Sequence, residues 1–145
     1  MNQTATETRS VIVERQMPCP PEKLWRALTQ PHLIAEWLMQ NDFQAVIGHH
    51  FRLRSDPQPG WNGIIDCEVL VVEPNKTLSY AWGSGDGDLA IQSVVTFSLT
   101  PAGDGTHLRM EQTGFRPEQK QNYQGAKYGW AHFFGRLEQL LARPE

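Results

Sequence analysis

The sequence predicts an α+β domain in which one long C-terminal helix lies across an antiparallel sheet, and three observations carry that expectation. Apolar residues alternate with polar ones in run after run between residues 10 and 115, the period of half-buried strands. No helical stretch separates the later strands, which excludes a doubly wound parallel sheet. From Pro117 to Ala142 the alternation ceases, and Tyr123, Ala126, Trp130, Phe133, Phe134, Leu137, Leu140 and Leu141 recur at three- and four-residue intervals. A single helix with so broad an apolar face has to cover the concave side of the sheet, because no other element is left to bury either.

The elements follow in order. Residues 1–9 are polar and read as a flexible N-terminal tail, with the domain occupying residues 10–145. Ser10 to Met17 is β-branched and then alternating, a first strand that stops before Pro18. Pro20 and Pro21 open a helix, since proline is tolerated where the N–H has no partner anyway, and Glu22 suits the positive end of the dipole. Thr29 is placed to cap a second short helix begun by Pro31, with Leu33, Ile34, Trp37 and Leu38 as its apolar stripe. Residues 42–48 and 50–55 then read as two strands of a hairpin turning at Gly48, and the proline- and glycine-rich stretch from Asp56 to Gly63 as a loop. A long strand carries Ile65, Cys67, Val69 and Val71 and ends at Pro74 and Asn75; the next carries Leu78, Tyr80 and Trp82 into a glycine-aspartate loop holding Asp86 and Asp88. The last two strands present Ile91, Val95, Phe97 and Leu99, then Leu108 and Met110, joined by a turn over residues 101–105.

Composition narrows the function. The chain of 145 residues is long enough to bury roughly 70% of its unfolded surface, so a core with a ligand cavity needs no metal or disulfide staple. Thirteen Lys and Arg against sixteen Asp and Glu, with no block of like charge, leave no electrostatic footprint for nucleic acid or an anionic membrane. Cys19 and Cys67 lie far apart without metal-ligand spacing and read as reduced thiols. No apolar run approaches the ~20 residues that cross a bilayer, and no signal-peptide pattern opens the chain; a cytoplasmic protein is expected.

The stretch Pro20-Pro21-Glu22-Lys23-Leu24-Trp25-Arg26-Ala27-Leu28-Thr29-Gln30-Pro31, followed by Trp37, resembles the opening of the activator of heat-shock protein 90 ATPase homologue-like family. That family belongs to the START (SRPBCC) superfamily of helix-grip folds, shared with the birch pollen allergen. Gly48 and Phe51 are similar to its G-x-x-F turn, and Leu78-Ser79-Tyr80-Ala81-Trp82 to its L-x-Y-x-W strand. Gly105-Thr106-His107-Leu108 with Thr113-Gly114-Phe115 resembles a later strand, and Gly129-Trp130 a pair within the last helix. The similarity runs from Val11 to about Leu141. It implies a helix-grip fold, a curved antiparallel sheet wrapped around a long C-terminal helix with two short helices after the first strand. Gln112 stands where relatives often carry a histidine, so a catalytic histidine at that place has no residue here. Members of the superfamily bind sterols, polyketides or plant hormones, a few cyclise polyketides, and the eponymous members stimulate a chaperone.

Chemistry-bearing patterns are sparse. His49 and His50 are adjacent, so on a strand their side chains face opposite sides and do not chelate one ion. His32, His107 and His132 each stand alone, the last flanked by core residues of the final helix, and read as structural. Asp86 and Asp88 lack the further carboxylates of a calcium loop. No serine sits in a nucleophile elbow and no glycine-rich loop leads from strand to helix, so hydrolase, kinase and dehydrogenase readings fail. Five Trp, six Phe and three Tyr remain as the unusual feature. The faces that alternation turns inward nominate Ile65, Tyr80, Trp82, Ser93, Val95, Phe97, Met110 and Gln112 from the sheet and Trp130, Phe133 and Phe134 from the helix, with Gln112, Tyr80 and Ser93 as polar anchors. The expected function is noncovalent binding of a small apolar or aromatic ligand between sheet and helix, without cofactor, metal or catalytic residue, by a monomer or homodimer. A chaperone-associated interaction protein and a polyketide cyclase-like enzyme are the competing classes.

Overall fold

The computed structural model describes residues 9–59, 61–84 and 91–144. Along the chain run β1 (Arg9–Met17), α1 (Pro21–Thr29), α2 (Pro31–Trp37), β2 (Gln40–Asn41), β3 (His50–Arg54), β4 (Ile64–Glu73), β5 (Thr77–Ser84), β6 (Ile91–Ala102), β7 (Gly105–Phe115) and α3 (Lys120–Leu141). The strands form one curved antiparallel sheet in the order β1-β7-β6-β5-β4-β3-β2. The first strand therefore pairs with the last, Val13 opposite Met110, and leaves the two short helices to cross from one edge of the sheet to the other. Between β6 and β7 the turn is only Gly103 and Asp104, because Ala102 and Gly105 already pair; Gly103 takes the positive φ of 61° that such a two-residue hairpin asks for.

Three local expectations are corrected. Residues 42–48 are not a strand: β2 ends at Asn41, and side-chain oxygens take the amides that a ladder would use. Asn41 Oδ1 accepts from the Phe43 N–H and Asp42 Oδ1 from the Arg52 N–H, which turns the chain out of the sheet. Phe43 drops into the core, whereas Val46 and Ile47 are 57% and 65% exposed. Thr29 does not cap α2; its hydroxyl donates to the Trp25 carbonyl one turn back, and Gln30 occupies the cap position. The last helix begins at Lys120 and not Pro117, since the Arg116 N–H donates to Gln119 Oε1 and Gln119 N–H to Arg116 O, a closed turn before the helix. The glycine-aspartate loop with Asp86 and Asp88, and the tail up to Thr8, lie outside the described residues.

Alternation puts Ile65, Cys67, Val69, Leu78, Tyr80, Trp82, Val95, Phe97, Leu99, Leu108 and Met110 on the inner face, all buried. Trp37 anchors α2 by donating its indole N–H to the Ala27 carbonyl of α1 and by meeting Phe97 edge-on. Helix α3 is held unevenly. From Trp130 onward it buries Trp130, Phe134, Leu137 and Leu141; Arg15–Glu138 (3.2 Å) ties it to β1, and just past its end Arg143–Glu36 (2.7 Å) ties the chain to α2. From Lys120 to Gly129 it buries no residue.

At the β2–β3 side of the core Tyr80 meets Phe43, Phe51 and Phe97. Burial pushes the Tyr80 phenol and the Cys67 thiol well up; the Asp66 and Asp42 carboxylates add to the effect on Cys67, and Cys67 adds to that on Tyr80. The native protein thus keeps two protons that the unfolded chain releases near the ordinary thiol and phenol values of about 8.5 and 10. More protons on the folded state means stability that is complete below that range and falls as pH rises through it. The urea midpoint should be lower at pH 10 than at pH 8, and Cys67 should resist alkylation in the native protein at pH 8 and react once unfolded. A midpoint that rises over this interval contradicts the burial.

Candidate functional site

Where α3 meets the sheet, three buried side chains form a directed line of hydrogen bonds. Trp130 Nε1 donates to Gln112 Oε1 at 2.7 Å, Gln112 Nε2 donates to Ser93 Oγ at 2.9 Å, and Ser93 Oγ donates to the Trp82 carbonyl at 3.0 Å. The direction follows from chemistry, because an indole N–H only donates, so the oxygen of the carboxamide has to face Trp130 and its NH2 the serine. Strand register sets the spacing: Trp82 pairs with Ser93 and Val95 with Gln112, which makes Ser93 and Gln112 diagonal neighbours on the inner face.

Above this line the interior is open. A pocket of 350 Å³ lies between the sheet and the first half of α3. The sheet side is Ile65 of β4, Trp82 and Ser84 of β5 and Gln112 and Phe115 of β7, with Trp61 reaching in from the β3–β4 loop. The helix side is Gln121, Asn122, Gly125, Ala126, Gly129, Trp130 and Phe133. No Asp, Glu, Lys, Arg or His is among the described lining residues.

Of the residues nominated from sequence, the structure brings Ile65, Trp82, Gln112, Trp130 and Phe133 together around this space. Ser93 lies beneath it, bonded to Gln112. Tyr80, Val95, Phe97, Met110 and Phe134 are fully packed in the core below and do not line it. Trp82 and Phe97 both touch the Trp130 ring, at centroid distances of 5.3 and 5.8 Å, so the core continues directly into the pocket wall. Sequence reasoning did not nominate Trp61, Ser84, Phe115, Gln121, Asn122, Gly125, Ala126 or Gly129. Two of these carried a signal: glycines four residues apart inside a helix, where alanine is the better former, mark space that something needs.

The remaining candidates lie elsewhere. His107 bonds Glu14 at 2.8 Å on the outer face, His132 is exposed on α3, and His49 precedes β3 with its ring stacked on Phe51. A second groove, of 370 Å³, runs between α1, α2 and the end of α3, floored by Ala27, Leu33, Leu140 and Leu141. Its cations are engaged within the protein: Lys23 Nζ donates to the Arg143 carbonyl and Arg143 pairs with Glu36. The α3 pocket differs from this groove in being walled by rings and by a buried amide.

No helix among the described residues is long and apolar enough to cross a membrane. Comparison with known proteins adds the following. A Mesorhizobium loti protein, MLL2253, is 60% identical over 94% of this chain and 99% of its own, with a TM-score of 0.88. DynU16, a protein of the dynemicin biosynthetic locus, is 28% identical with a TM-score of 0.76; the match covers 91% of this chain and 46% of that one. The Aha1 dimer from Colwellia psychrerythraea, 21% identical over 92% of this chain and 96% of its own with a TM-score of 0.77, shares the fold. None of the curated proteins compared matches the chain. The fold is the helix-grip of SRPBCC proteins, the family described as activator of Hsp90 ATPase homolog 1-like proteins matches residues 18–142, and the chain belongs to that family.

Proposed function

We propose that this protein binds a small apolar or aromatic molecule in the pocket between the sheet and the first half of α3. The observation that carries the reading is the pairing of an aromatic wall, Trp61, Trp82, Phe115, Trp130 and Phe133, with a helix face of Gly125, Ala126 and Gly129. Apolar space of 350 Å³ falls in the range of small-molecule sites, about 300–1,000 Å³. The glycines keep it open at a cost to the helix of roughly 0.8–1 kcal/mol each relative to alanine. Nothing crowds either one: a Cβ at Gly125 meets nothing within 4 Å, and one at Gly129 meets only Phe133, at 3.9 Å. Lost helix stability with no packing reason is what a site kept open for a ligand requires. The two buried cysteines, neither of them in a disulfide, suit a reducing compartment such as the cytoplasm.

Filling the space tests this. Gly129→Leu should fold with a thermal midpoint at or above wild type, because leucine is the better helix former, and should abolish ligand uptake. In the wild type a ligand at ~100 times its Kd adds about 2.7 kcal/mol, a shift of several degrees in a domain of this size. If hits from a screen of apolar aromatics stabilise both proteins equally, binding is elsewhere; if no compound stabilises the wild type, a surface role such as assisting a chaperone becomes the better account. Turnover of a cyclisable chain, lost in the filled variant, would make the site a cyclase. Independently, Trp130→Phe keeps the ring but leaves the buried Gln112 oxygen without its donor, and should lower stability by about 1–3 kcal/mol in denaturant titration.

A further inference from the structure

At the C-terminal end of α3 the faces of three helices meet in a groove that shares no residue with the α3 pocket. Two adjoining depressions, of 370 and 260 Å³, have Glu36, Leu140 and Arg143 in common and so run into one elongated channel. Sequence spacing builds two of its sides alike. Lys23, Arg26, Ala27 and Gln30 recur along α1, and Arg136, Gln139, Leu140 and Arg143 along α3 and just past its end, each set at the three- and four-residue intervals of one helix face. Ala27 and Leu141 are buried, whereas Leu33 and Leu140 are only half-buried, so apolar surface is left at the bottom. The charge on the groove runs against that of the chain. Its described lining holds four of the thirteen Lys and Arg and one of the sixteen Asp and Glu. Glu36 pairs with Arg143 at 2.7 Å, but Lys23 and Arg136 direct hydrogen bonds to neutral oxygens, the Arg143 carbonyl at 2.7 Å and the Glu36 carbonyl at 2.9 Å. A carbonyl holds a cation in place and does not cancel its charge.

We propose that this groove docks an acidic amphipathic segment of another protein, a helix whose apolar side chains enter over Leu33 and Leu140 while its carboxylates meet Lys23 and Arg136. An apolar helix face laid into a groove is a recurring mode of peptide recognition. Cations around the groove select carboxylates on arrival and repel a basic segment of the same shape. The elongated channel, shared among three helices, suits a segment and not a compact molecule. The rest of the chain argues against a flat anionic surface as the occupant, because it carries most of the acidic side chains and a membrane would repel it, whereas a single segment meets only the groove.

Two labelled peptides of about twelve residues, roughly three helical turns, test this: one of leucine and glutamate in amphipathic helical order, and a twin with lysine in place of every glutamate. Each is titrated into the intact protein by fluorescence anisotropy and its contacts are mapped by 1H–15N NMR. The glutamate peptide should bind about tenfold or more tightly than its twin, and its Kd should rise several-fold between about 0.05 and 0.3 M salt as the charges are screened. Amide shifts should gather on α1, α2 and the last turns of α3 and leave the Trp130 indole unmoved. Lys23 is half-buried and Arg136 exposed, so the double variant Lys23→Glu, Arg136→Glu should keep its fold; it should lose the glutamate peptide and gain affinity for the lysine twin. Should it fail to fold, the wild-type preference and the shift map decide alone. Equal binding of the two peptides, shifts centred on the α3 pocket, or no binding of the glutamate peptide overturns the proposal. Retention on phosphatidylglycerol vesicles that the double variant loses, without peptide binding, makes the occupant a lipid surface and overturns it. A dimer that the double variant dissolves, again without peptide binding, makes the occupant a second copy and overturns it as well.

Discussion

The hydrogen bond from Trp130 to Gln112 is the constraint on which the interior is arranged. Apolar packing holds a helix on a sheet but tolerates rotation and sliding of the helix; a 2.7 Å bond between two buried side chains does not. It joins α3 to β7, and through Ser93 to β6 and the backbone of β5, so one line of donors and acceptors spans helix and three strands. Each group in it is more demanding for being buried, since breaking the line anywhere leaves a polar atom dry and unpaired. The network also marks a level in the molecule. Beneath it Phe97, Met110, Phe134 and Leu137 are fully buried, and above it the same sheet and the same helix line an open cleft.

That division explains the composition of α3. Its second half carries the large residues, Trp130, Phe134, Leu137 and Leu141, at the spacing that fills the sheet's concave face. Its first half replaces them with Gly125, Ala126 and Gly129 on the same side. Tyr123, nearest the start, packs edge-on against Phe115 and is flanked by the cationic groups of Arg9 and Lys127 over its ring, which gives the helix start its own attachment to β7.

Much of this was legible in the sequence. The period of two from Ile65 to Trp82 and from Phe97 to Met110 named the inward faces, because parity along a strand fixes the side on which a residue lies. Parity does not say how far up the sheet a residue sits relative to the helix, and so Tyr80, Val95 and Phe97, inward like Trp82, turned out to be packed beneath the pocket. Height depends on where α3 begins, and that was obscured by Pro117, a residue favoured at helix starts which here belongs to the preceding turn. The segment from Asp42 to Gly48 failed for a different reason: its apolar residues alternate, but Asn41 and Asp42 capture backbone amides with their side chains, an interaction that hydrophobic pattern does not register. Trp61 reaches the pocket from a loop, where no periodicity exists to point it inward.

Because α3 has its ion pairs and fully buried rings from Trp130 onward, while the ten residues before it are held chiefly by the half-buried Tyr123 against Phe115, it is built as a beam with a firm root and one tie near its far end. Bending or fraying of this stretch sacrifices little packed area, so it belongs to the low-energy openings of the molecule and is separate from global unfolding. Substitutions among those ten residues and substitutions in the Trp130–Gln112 line therefore act on different properties, the stiffness of the helix start in the first case and the seating of α3 on the sheet in the second.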